Sequence, residues 1–514
     1  MLSTPEPVIF IPTVGLGTRM ATTMPGINKA LVPVDGTPLI SHIINSFPME
    51  AKFVIALGHL GNQVRDLCNV LHGDRSIEYV QVDDYSSSAA GTATTMVACS
   101  EHLQGPFWYV ACDTYIGRDL PLALPETTYF VKDVDPSSSH EYTMMKVHDG
   151  KVTDITYKTN VQAAGWSAFT GLMYIQDGRG FISRILDSGS KEFPTCLPTS
   201  AVAETLSSWV DMGNPQQYIE AVRRTQPFDF SKKGEITWTT TNKVIKWSAD
   251  LIITKKRYDR ALDAPSDVLP SNITGGRFLS YDMVPGTTMY YRQDPDVLAR
   301  FLDWCKACVW EPRAMDADKS RKVYTTFYEE KTKQRIDQYL HHNHRFRSVR
   351  AVDSIGVLSI ERYLQKIDWK MLANDARNAW IHGDMQFDNI VVTPDTRFRL
   401  IDWRSDFAGQ MVGDVHYDMA KLIAGTMIDY TSIKNNRFGL STLKDDCVVV
   451  HVTGSTIAGA SDMIYTTAKS MELNLDKIRL LVPLIFLNMA PLHDKPFSDL
   501  LWCMGLRELA KLKL

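Results

Sequence analysis

Residues 380–403 read WIHGDMQFDNIVVTPDTRFRLIDW, and they decide the fold of the second half of the chain. Two short apolar runs, 389–393 and 398–401, flank the turn-forming sequence Pro-Asp-Thr at 394–396. Apolar runs separated by a turn of this composition predict a β-hairpin. Polar side chains cluster at the two ends of this hairpin, and they are His382, Asp384, Asn389 and Asp402.

Asp384 precedes Asn389 by five positions, and Asp402 follows the hairpin. This is the H-x-D-x-x-x-x-N spacing of kinase catalytic loops, in which a metal-binding Asp also follows a hairpin. Such chemistry needs one carboxylate to accept the proton of an attacking hydroxyl. It also needs an amide oxygen and a second carboxylate to hold magnesium against the phosphates of ATP. The pattern therefore favours a phosphotransfer site over an ordinary hairpin with solvated acids.

The motifs HGDMQFDN and IDW, with GDVHYDMAKL at 413–422, resemble the aminoglycoside phosphotransferase and choline kinase family. The resemblance implies that Asp384 is the catalytic base, that Asn389 and Asp402 are Mg²⁺ ligands, and that Asp418 braces the catalytic loop. The chain has Asp-Trp-Arg where protein kinases have D-F-G, and it lacks A-P-E and G-x-G-x-x-G. We therefore expect a small-molecule hydroxyl, and not a protein, as the acceptor.

The N-terminal region predicts a second site for a polyanion. The apolar run Val8–Pro12 reads as a buried strand, and a glycine-containing loop with Arg19 follows it directly. Glycines after a strand let backbone N–H groups approach a phosphate closely. Lys29 comes ten residues later, and the apolar spacing from Pro38 onward predicts a helix. A strand, a basic glycine loop and a helix together indicate phosphate binding.

The segments GLGTRM (15–20) and NKALVPVDGTPLISHII (28–44) resemble the sugar-phosphate nucleotidylyltransferase family. Further pieces that resemble this family follow in order, and they are KFVIALG (52–58), GTA (91–93), YVACD (109–113), GKVTDITYK (150–158) and WVDMGNP (209–215). Two departures affect how a nucleotide would be placed, because Val14 stands where the family usually has Gly or Ala and Asn28 stands where it usually has Pro.

This second resemblance implies a role for particular residues of the N-terminal region. Arg19 and Lys29 would be catalytic, and Asp113 and Asp211 would be metal ligands. The nucleotide would lie against Gly15, Gly17, Thr18, Gly91 and Thr92. The substrate would lie against Lys158 and Gly171.

The expected fold is α/β, with a Rossmann-like nucleotidyltransferase domain at 1–225 followed by a bilobal protein-kinase-like α+β domain at 235–514. Asn214 and Pro215 predict the start of the last helix of the first domain, and 226–234 reads as a linker. In the second domain we expect strands at 240–247 and 278–284 and helices at 294–309 and 321–339.

The second domain has further candidate positions for ATP and for the acceptor. Lys246, in preference to Lys243, would contact the ATP phosphates because it lies within the apolar part of its strand. Asp282 would lie at the nucleotide-binding hinge between lobes. His493 and Asp494 are candidate acceptor contacts, for which a structural role is the alternative.

Composition limits the classes of partner. The net charge of −4 gives no reason to expect nucleic acid or an anionic membrane. We find no signal peptide, and the longest apolar stretch, Leu480 to Leu487, is interrupted by Pro483 and is too short to span a membrane. A cytoplasmic protein without membrane insertion is therefore expected. The Cys305 and Cys308 pair is expected to be two buried thiols, because one isolated CxxC is weak evidence for zinc.

Two active-looking domains in one chain suggest two consecutive reactions. The kinase domain would use ATP and Mg²⁺ to phosphorylate a small alcohol or sugar, such as choline, another amino alcohol or a polyol. The first domain would then join the phosphomonoester to a nucleotide from a second NTP, for which CTP is favoured by analogy alone. The alternatives are a small-molecule kinase with a non-catalytic, regulatory first domain, a scaffolding protein, and an antibiotic-modifying kinase.

Overall fold

The computed structural model describes residues 6–161, 164–225, 234–442 and 446–514. The chain divides into two compact units, residues 1–225 and 226–514, which are described separately. The predicted linker at 226–234 lies outside the described residues except for Gly234, and it stays a prediction. No helix in the described ranges is long and apolar enough to cross a membrane.

The first unit is an α/β fold. Its strands are β1 (Val8–Pro12), β2 (Pro33–Val34), β3 (Thr37–Pro38), β4 (Lys52–Leu57), β5 (Ser76–Gln81), β6 (Phe107–Val110), β7 (Thr114–Tyr115), β8 (Thr128–Lys132), β9 (Thr143–His148), β10 (Lys151–Tyr157), β11 (Trp166–Ile175), β12 (Val202–Thr205) and β13 (Val210–Asp211). Its helices are α1 (Leu39–Asn45), α2 (Gly61–Leu71), α3 (Thr92–Ala98), α4 (Gly178–Ser188) and α5 (Pro215–Thr225).

A mixed sheet with strand order β5-β4-β1-β6-β11-β8-β12-β10-β9 organises the described part of this unit. The central residues of β1 are fully buried because both of its neighbours pair with it in parallel, Val8 opposite Lys52 of β4 and opposite Phe107 of β6. Parallel neighbours end at the same edge of a sheet. The glycine loop after β1 and the Asp113 loop after β6 therefore meet at one edge, which positions the site.

The second unit begins with a small sheet and continues into a larger helical part. Its strands are β14 (Glu235–Thr239), β15 (Lys243–Ser248), β16 (Leu279–Asp282), β17 (Thr287–Thr288), β18 (Ala351–Val352), β19 (Ile355–Gly356), β20 (Asn378–Ala379), β21 (Ile390–Val392), β22 (Phe398–Leu400), β23 (Gly413–Asp414), β24 (Gly439–Thr442) and β25 (Cys447–His451). Antiparallel pairing joins β14, β15 and β16 into the small sheet, and β21 and β22 form a hairpin.

The helices of the second unit are α6 (Leu251–Leu262), α7 (Met289–Arg292), α8 (Pro295–Trp304), α9 (Ala317–Tyr324), α10 (Lys331–His342), α11 (Ile360–Lys366), α12 (Trp369–Asn374), α13 (Val415–Met427), α14 (Tyr430–Lys434), α15 (Ala460–Ser470), α16 (Leu475–Met489) and α17 (Phe497–Lys511). Two π-helical segments, Cys305–Val309 and Thr325–Glu330, continue α8 and join α9 to α10. The apolar helices α13, α16 and α17 are almost wholly buried and form the centre of this part.

The predicted fold class is confirmed in both units, and so is the hairpin around residues 394–396. The strand expected at 240–247 was wrong in its first part, because residues 240–242 form the turn between β14 and β15. The helix expected at 321–339 begins earlier and ends later, since α9, the π segment and α10 run on from 317 to 342. Cys305 is buried as expected, but the expectation for Cys308 was wrong because its thiol is exposed.

A fully buried ion pair joins α16 to the start of α13. The Lys477 ammonium lies 2.8 Å from Asp414, and neither side chain is exposed to solvent. The same carboxylate accepts hydrogen bonds from Tyr328 Oη at 2.8 Å and from the Arg377 N–H at 3.0 Å. Although burial opposes ionisation, Lys477 and His416 hold the pKa of Asp414 well below its ordinary value. The buried Asp414 carboxylate is therefore neutralised by Lys477 only when α16 packs against the start of α13.

Replacing Lys477 by Met should lower the free energy of unfolding of the second unit by about 3–5 kcal/mol, because the Asp414 charge would stay buried without its partner. The same substitution at Lys469, an exposed residue of α15, should change it by less than about 0.5 kcal/mol. Urea denaturation followed by tryptophan fluorescence measures both. Equal, small effects of the two substitutions would contradict this account of the ion pair.

Candidate active sites

The loop that carries Asp384 is held in shape by its own side chains. Asn389 donates from Nδ2 to the main-chain oxygen of Asp384 at 2.8 Å. Gln386 donates from Nε2 to Asp384 Oδ1, also at 2.8 Å. Lys421 was not among the predicted site residues, and its Nζ lies 2.8 Å from the same oxygen. Oδ1 of Asp384 is thus held both by a loop amide and by an ammonium from α13.

The buried carboxylate of Asp418 holds this loop against α13. It accepts hydrogen bonds from the N–H of His382 at 2.8 Å and of Gly383 at 2.7 Å, and from Trp310 Nε1 at 3.1 Å. Burial raises the pKa of Asp418 to about 6, against these hydrogen bonds, which lower it. Gly383 has a φ of +81°, and a Cβ there would lie 2.6 Å from Phe407 Cζ, so that only glycine fits.

His382 is a structural residue of the loop and not a base. Burial lowers its pKa to about 4, so that the imidazole is neutral at physiological pH. Its Nε2 lies 2.8 Å from the Ile401 carbonyl, and its Nδ1 lies 3.2 Å from the Asp384 N–H. These partners require the Nε2–H tautomer, in which Nδ1 accepts. The imidazole therefore joins the loop to the strand end that precedes Asp402.

Asp402 lines the same cavity as this loop and contacts the small sheet. It forms an ion pair with Lys246 of β15, and Tyr281 of β16 donates to Oδ1 at 3.3 Å. Its φ of +63° is in the left-handed region, which Asp tolerates better than most residues. Lys243 instead points to Asp282, at 3.6 Å. The structure thus brings Lys246, and not Lys243, to the proposed metal ligand.

One cavity of about 360 Å³ joins these side chains, and it is lined by Lys246, Asp384, Asn389 and Asp402 among others. His493 also lines it, whereas Asp494 does not. The Asp282 side chain lies elsewhere, on a second cavity next to the turn of the hairpin, and it accepts hydrogen bonds from Asn272 at 2.6 Å and Ser271 at 3.1 Å. The Asp282 side chain is therefore not part of the cavity that contains Asp384.

In the first unit, Asp113 and Asp211 come together although they are distant in sequence. The short strands β7 and β13 pair so that Asp211 lies opposite Thr114. A Cβ placed on Gly213 would lie 2.5 Å from Asp113 Oδ2 and 3.1 Å from Asp211 Oδ1, so both carboxylates converge on this glycine. Lys29 Nζ lies 2.7 Å from Asp113 Oδ2. Three of the predicted residues therefore form one charged cluster.

The charges of this cluster are strongly coupled. Burial raises the pKa of Asp211 to about 6, and repulsion from Asp113 adds to the increase, whereas Arg19 and Lys29 act in the opposite direction. Although burial opposes both effects, the Lys29–Asp113 pair lowers the pKa of Asp113 and raises the pKa of Lys29. At neutral pH the cluster therefore has an ammonium and two carboxylates.

The glycine loop lies directly beside this cluster. Gly17 has a φ of +62°, and a Cβ there would lie 3.7 Å from Lys29 Cβ. Asn28 explains one departure from the family pattern, because Nδ2 donates to the carbonyls of Thr13 at 3.0 Å and His59 at 2.8 Å. Its Oδ1 accepts from the Ala30 N–H at 2.9 Å. Asn28 thus fixes the segment that carries Lys29 to the end of β1.

The other departure and the remaining loop positions have ordinary structural contacts. Val14 is buried against Gly58, where a Cβ would meet the Val14 side chain at 2.6 Å. Gly15 has open space around it, since a Cβ there would have no described atom within 4 Å beyond its chain neighbours. Thr18 and Arg19 are exposed, so that both are accessible to a ligand.

The remaining predicted positions of the first unit differ in whether they lie beside Asp113 and Asp211. Gly171, with a φ of +78°, packs on Thr114 and Ala111, next to the Asp113 loop. Gly91 and Thr92 start α3 and contact the 191–192 segment, where Thr92 Oγ1 donates to Glu192 at 2.7 Å. Lys158 is exposed, and its Nζ lies 5.2 Å from the centre of the Tyr157 ring. Of these positions, Gly171 is the one that packs beside the carboxylate pair.

The two donor sets fit Mg²⁺. Each offers two oxygen-bearing side chains, Asp113 with Asp211 and Asn389 with Asp402. No group of three or more His, Cys, Asp or Glu side chains with metal-binding geometry occurs among the described residues. Mg²⁺ in phosphoryl-transfer sites is held by one or two carboxylates together with substrate phosphates and waters, so that a larger set is not needed.

Several residues around the Asp384 cavity were missed by the sequence analysis, and they are Tyr281, Lys331, Arg335, Gln386, Arg404, Lys421 and Lys434. Lys421 could have been predicted, because it lies three positions after Asp418 and therefore on the same face of the helix. Lys331 and Arg335 are likewise four positions apart on one helix face. Their convergence on the cavity depends on how distant helices pack, which the spacing alone does not give.

Comparisons with known proteins agree with the assignment of the second unit. The family described as "Phosphotransferase enzyme family" matches residues 260–442, which include Asp384, Asn389, Asp402 and Asp418. The expected resemblance is thereby confirmed for this segment. A comparison with curated proteins found no match.

The first unit is similar to several solved structures. One is a UDP-glucose pyrophosphorylase complexed with UDP-glucose, at 17% identity over 43% of this chain and 98% of that chain, with a TM-score of 0.36. Another is the CTP:phosphocholine cytidylyltransferase of Streptococcus pneumoniae, at 21% identity over 43% of this chain and 100% of that chain, with a TM-score of 0.37. A third is HddC from Yersinia pseudotuberculosis, at 18% identity over 42% of this chain and 99% of that chain, with a TM-score of 0.33.

The raised pKa of Asp211 predicts a pH-dependent metal affinity. Mg²⁺ requires ionised carboxylates, so its affinity for the protein without nucleotide should fall by up to about tenfold per pH unit below about 6 and level off above that pH. Calorimetric titration of Mg²⁺ into the protein at several pH values measures this. Asp211→Asn should remove the dependence, whereas Asp187→Asn, on the exposed face of α4, should keep it. A flat profile in the unaltered protein would contradict the shared site.

Proposed function

We propose that this chain, in which residues 260–442 match a phosphotransferase family, is a bifunctional enzyme that activates a small hydroxyl compound in two steps. The second unit would transfer phosphate from ATP to the hydroxyl. The first unit would join the resulting phosphomonoester to a nucleotidyl group from an NTP, with release of pyrophosphate. The observation that carries the proposal is the cavity in which Lys246, Asp384, Asn389 and Asp402 meet.

In the kinase step the acceptor oxygen attacks the γ-phosphorus of ATP, the bond to ADP breaks, and Asp384 takes the hydroxyl proton. Asp384 suits this role because the Lys421 ammonium favours its ionised form. Although burial opposes it, the same pairing raises the pKa of Lys421, which keeps that cation charged. Lys246 would move from Asp402 to the phosphates when ATP binds. Mg²⁺, when bound by Asn389 and Asp402, would neutralise the phosphate charge.

In the nucleotidyl step an oxygen of the substrate phosphate attacks the α-phosphorus of the NTP, and pyrophosphate leaves. Negative charge develops on the leaving group, and Lys29 and Arg19 would stabilise it. Lys29 suits this role because its raised pKa keeps it protonated throughout. Asp113 and Asp211 would hold Mg²⁺. CTP is the first NTP to test, by analogy with phosphocholine-type activating enzymes alone.

Paired variants test the proposal, because each one is the control for the other. Asp384→Asn should lower ATP-dependent phosphorylation of the acceptor by about 10²- to 10⁴-fold, the range for removal of a general base. It should leave pyrophosphate release from an NTP and a supplied phosphomonoester unchanged. Asp113→Asn should do the reverse. Enzymatic assays of ADP and pyrophosphate, with a pool of alcohols, sugars and their phosphates, measure both activities.

Each unexpected result of this experiment would reject a different part of the proposal. An Asp384→Asn protein that phosphorylates acceptors at the parent rate would contradict the assignment of the base. A parent protein that makes phosphomonoesters but releases no pyrophosphate with any NTP would favour the regulatory first unit. Loss of both activities in either variant would indicate a folding defect, which circular dichroism detects.

A further inference from the structure

The cavity that contains Asp384 is lined by more basic than acidic side chains. Each carboxylate that lines it has its own cationic partner. The pairs are Glu235 with Arg257, Asp384 with Lys421, Asp388 with Lys434 and Asp402 with Lys246. Three further cations, Lys331, Arg335 and Arg404, line the same cavity. None of these three forms an ion pair with a described residue, so the lining has three basic side chains more than it has carboxylates.

These three cations, here called the cation cluster, are held by rings and neutral groups. Lys331 Nζ lies 3.4 Å from the centre of the Phe327 ring, and Arg404 Cζ lies 5.0 Å from the same ring. Arg404 Nε donates to the Asp406 carbonyl at 2.8 Å, and Arg335 donates to Gln338 at 3.3 Å. The nearby Asp406 carboxylate is already paired with Lys256 at 2.8 Å.

Holding these charges together without an anion has a cost. Burial lowers the pKa of Lys331 well below its ordinary value, and repulsion from Arg404 and Arg335 adds to the decrease. Burial and the charge of Arg404 also lower the pKa of Arg335. An anion bound among the three side chains would remove this repulsion and would accept charge-assisted hydrogen bonds from them.

The cation cluster lies on the Asp384 side of the cavity. Lys331 Nζ lies 5.7 Å from the centre of the Tyr417 ring, and Tyr417 is one helical turn before Lys421 in α13. Lys421 is the residue that contacts Asp384. Lys246, which would contact ATP, belongs to the small sheet and pairs with Asp402, whereas Lys421 pairs with Asp384. An anion at the cluster would therefore be attached to the acceptor and not to ATP.

We infer that the acceptor has an oxyanion, a carboxylate or a phosphate, in addition to the hydroxyl that is phosphorylated, and that Lys331, Arg335 and Arg404 bind this oxyanion. The inference rests on the proposed kinase function. It deepens that function by giving the class of acceptor, since a cationic amino alcohol such as choline would be repelled by the cluster.

An acceptor panel in matched sets tests the substrate class. Glycerol, glycerate and glycerol 3-phosphate form one set, glucose, gluconate and glucose 6-phosphate form another, and choline is the cationic member. ADP release with ATP and Mg²⁺ should give a kcat/KM at least about tenfold higher for an oxyanion-bearing member than for its neutral counterpart. Whether the carboxylate or the phosphate is preferred identifies the oxyanion. Preference for a neutral member or for choline would overturn the inference while keeping the kinase.

A binding experiment decides the question even if no member of the panel is phosphorylated. Inorganic phosphate is titrated calorimetrically into the full chain saturated with Mg²⁺ and a non-hydrolysable ATP analogue. Arg335→Gln should weaken phosphate binding by about 10- to 100-fold, the effect of losing one hydrogen bond between charged groups. Arg335→Lys should recover part of the loss. Lys333→Gln, an exposed lysine of the same helix that pairs with Glu329, should bind phosphate as the parent does.

The outcomes separate this inference from the proposed function. Phosphate binding that depends on Arg335, in a protein that transfers no phosphate to any acceptor, would keep the anion site and reject the kinase. Equal phosphate binding by the parent, Arg335→Gln and Lys333→Gln would overturn the inference. Binding that disappears once the ATP analogue is present would also overturn it, because the cluster would then belong to the nucleotide.

Discussion

The hydrogen bonds from His382 and Gly383 to the buried Asp418 carboxylate are the interaction on which the second unit's site depends. A buried backbone N–H needs an acceptor, and for His382 and Gly383 that acceptor is the Asp418 side chain. Asp418 does this from the first turns of α13, the same helix that supplies Lys421 to Asp384. One helix therefore positions both the backbone of the loop and the carboxylate of its proposed base.

This arrangement explains why the residues around Asp384 are so restricted. The approach of the loop to Phe407 leaves no space for a Cβ at Gly383, and the buried imidazole of His382 must be neutral to hold the Ile401 carbonyl and the Asp384 N–H. Asp402 takes a left-handed backbone conformation at the strand end that this imidazole contacts. The geometry of the two proposed metal ligands and of the base thus depends on a few buried polar groups.

Local patterns in the sequence were sufficient for the elements and for part of each site. The turn 394–396 and the apolar runs beside it predicted the hairpin, and the run Val8–Pro12 predicted the first strand, because both depend on residues close together in the chain. The turn at 240–242 was missed because Thr-Thr-Asn has neither glycine nor proline and continues the alternation of the strand. An alternating pattern therefore predicts a strand wrongly where a polar turn continues the alternation.

Contacts between distant helices could not be predicted in the same way. The Lys421–Asp384 pair and the cation cluster of Lys331, Arg335 and Arg404 both depend on packing between elements far apart in sequence. The shared role of Asp113 and Asp211 was expected from the family resemblance alone. The two sites also differ in their electrostatics. Lys29 is matched to a carboxylate, whereas the cation cluster has no carboxylate partner among the described residues.

If the two proposed reactions are consecutive, one phosphoryl group passes through both of them, and a radioactive label can follow it. The intact chain is incubated with ATP labelled with ³²P at the γ-position, an unlabelled NTP panel, Mg²⁺ and a pool of small hydroxyl compounds. Label is expected in the β-phosphorus of a nucleoside-diphosphate-linked product, and the pyrophosphate released from the second NTP should be unlabelled. Label that stays in a phosphomonoester while the second NTP is consumed into an unlabelled product would contradict it.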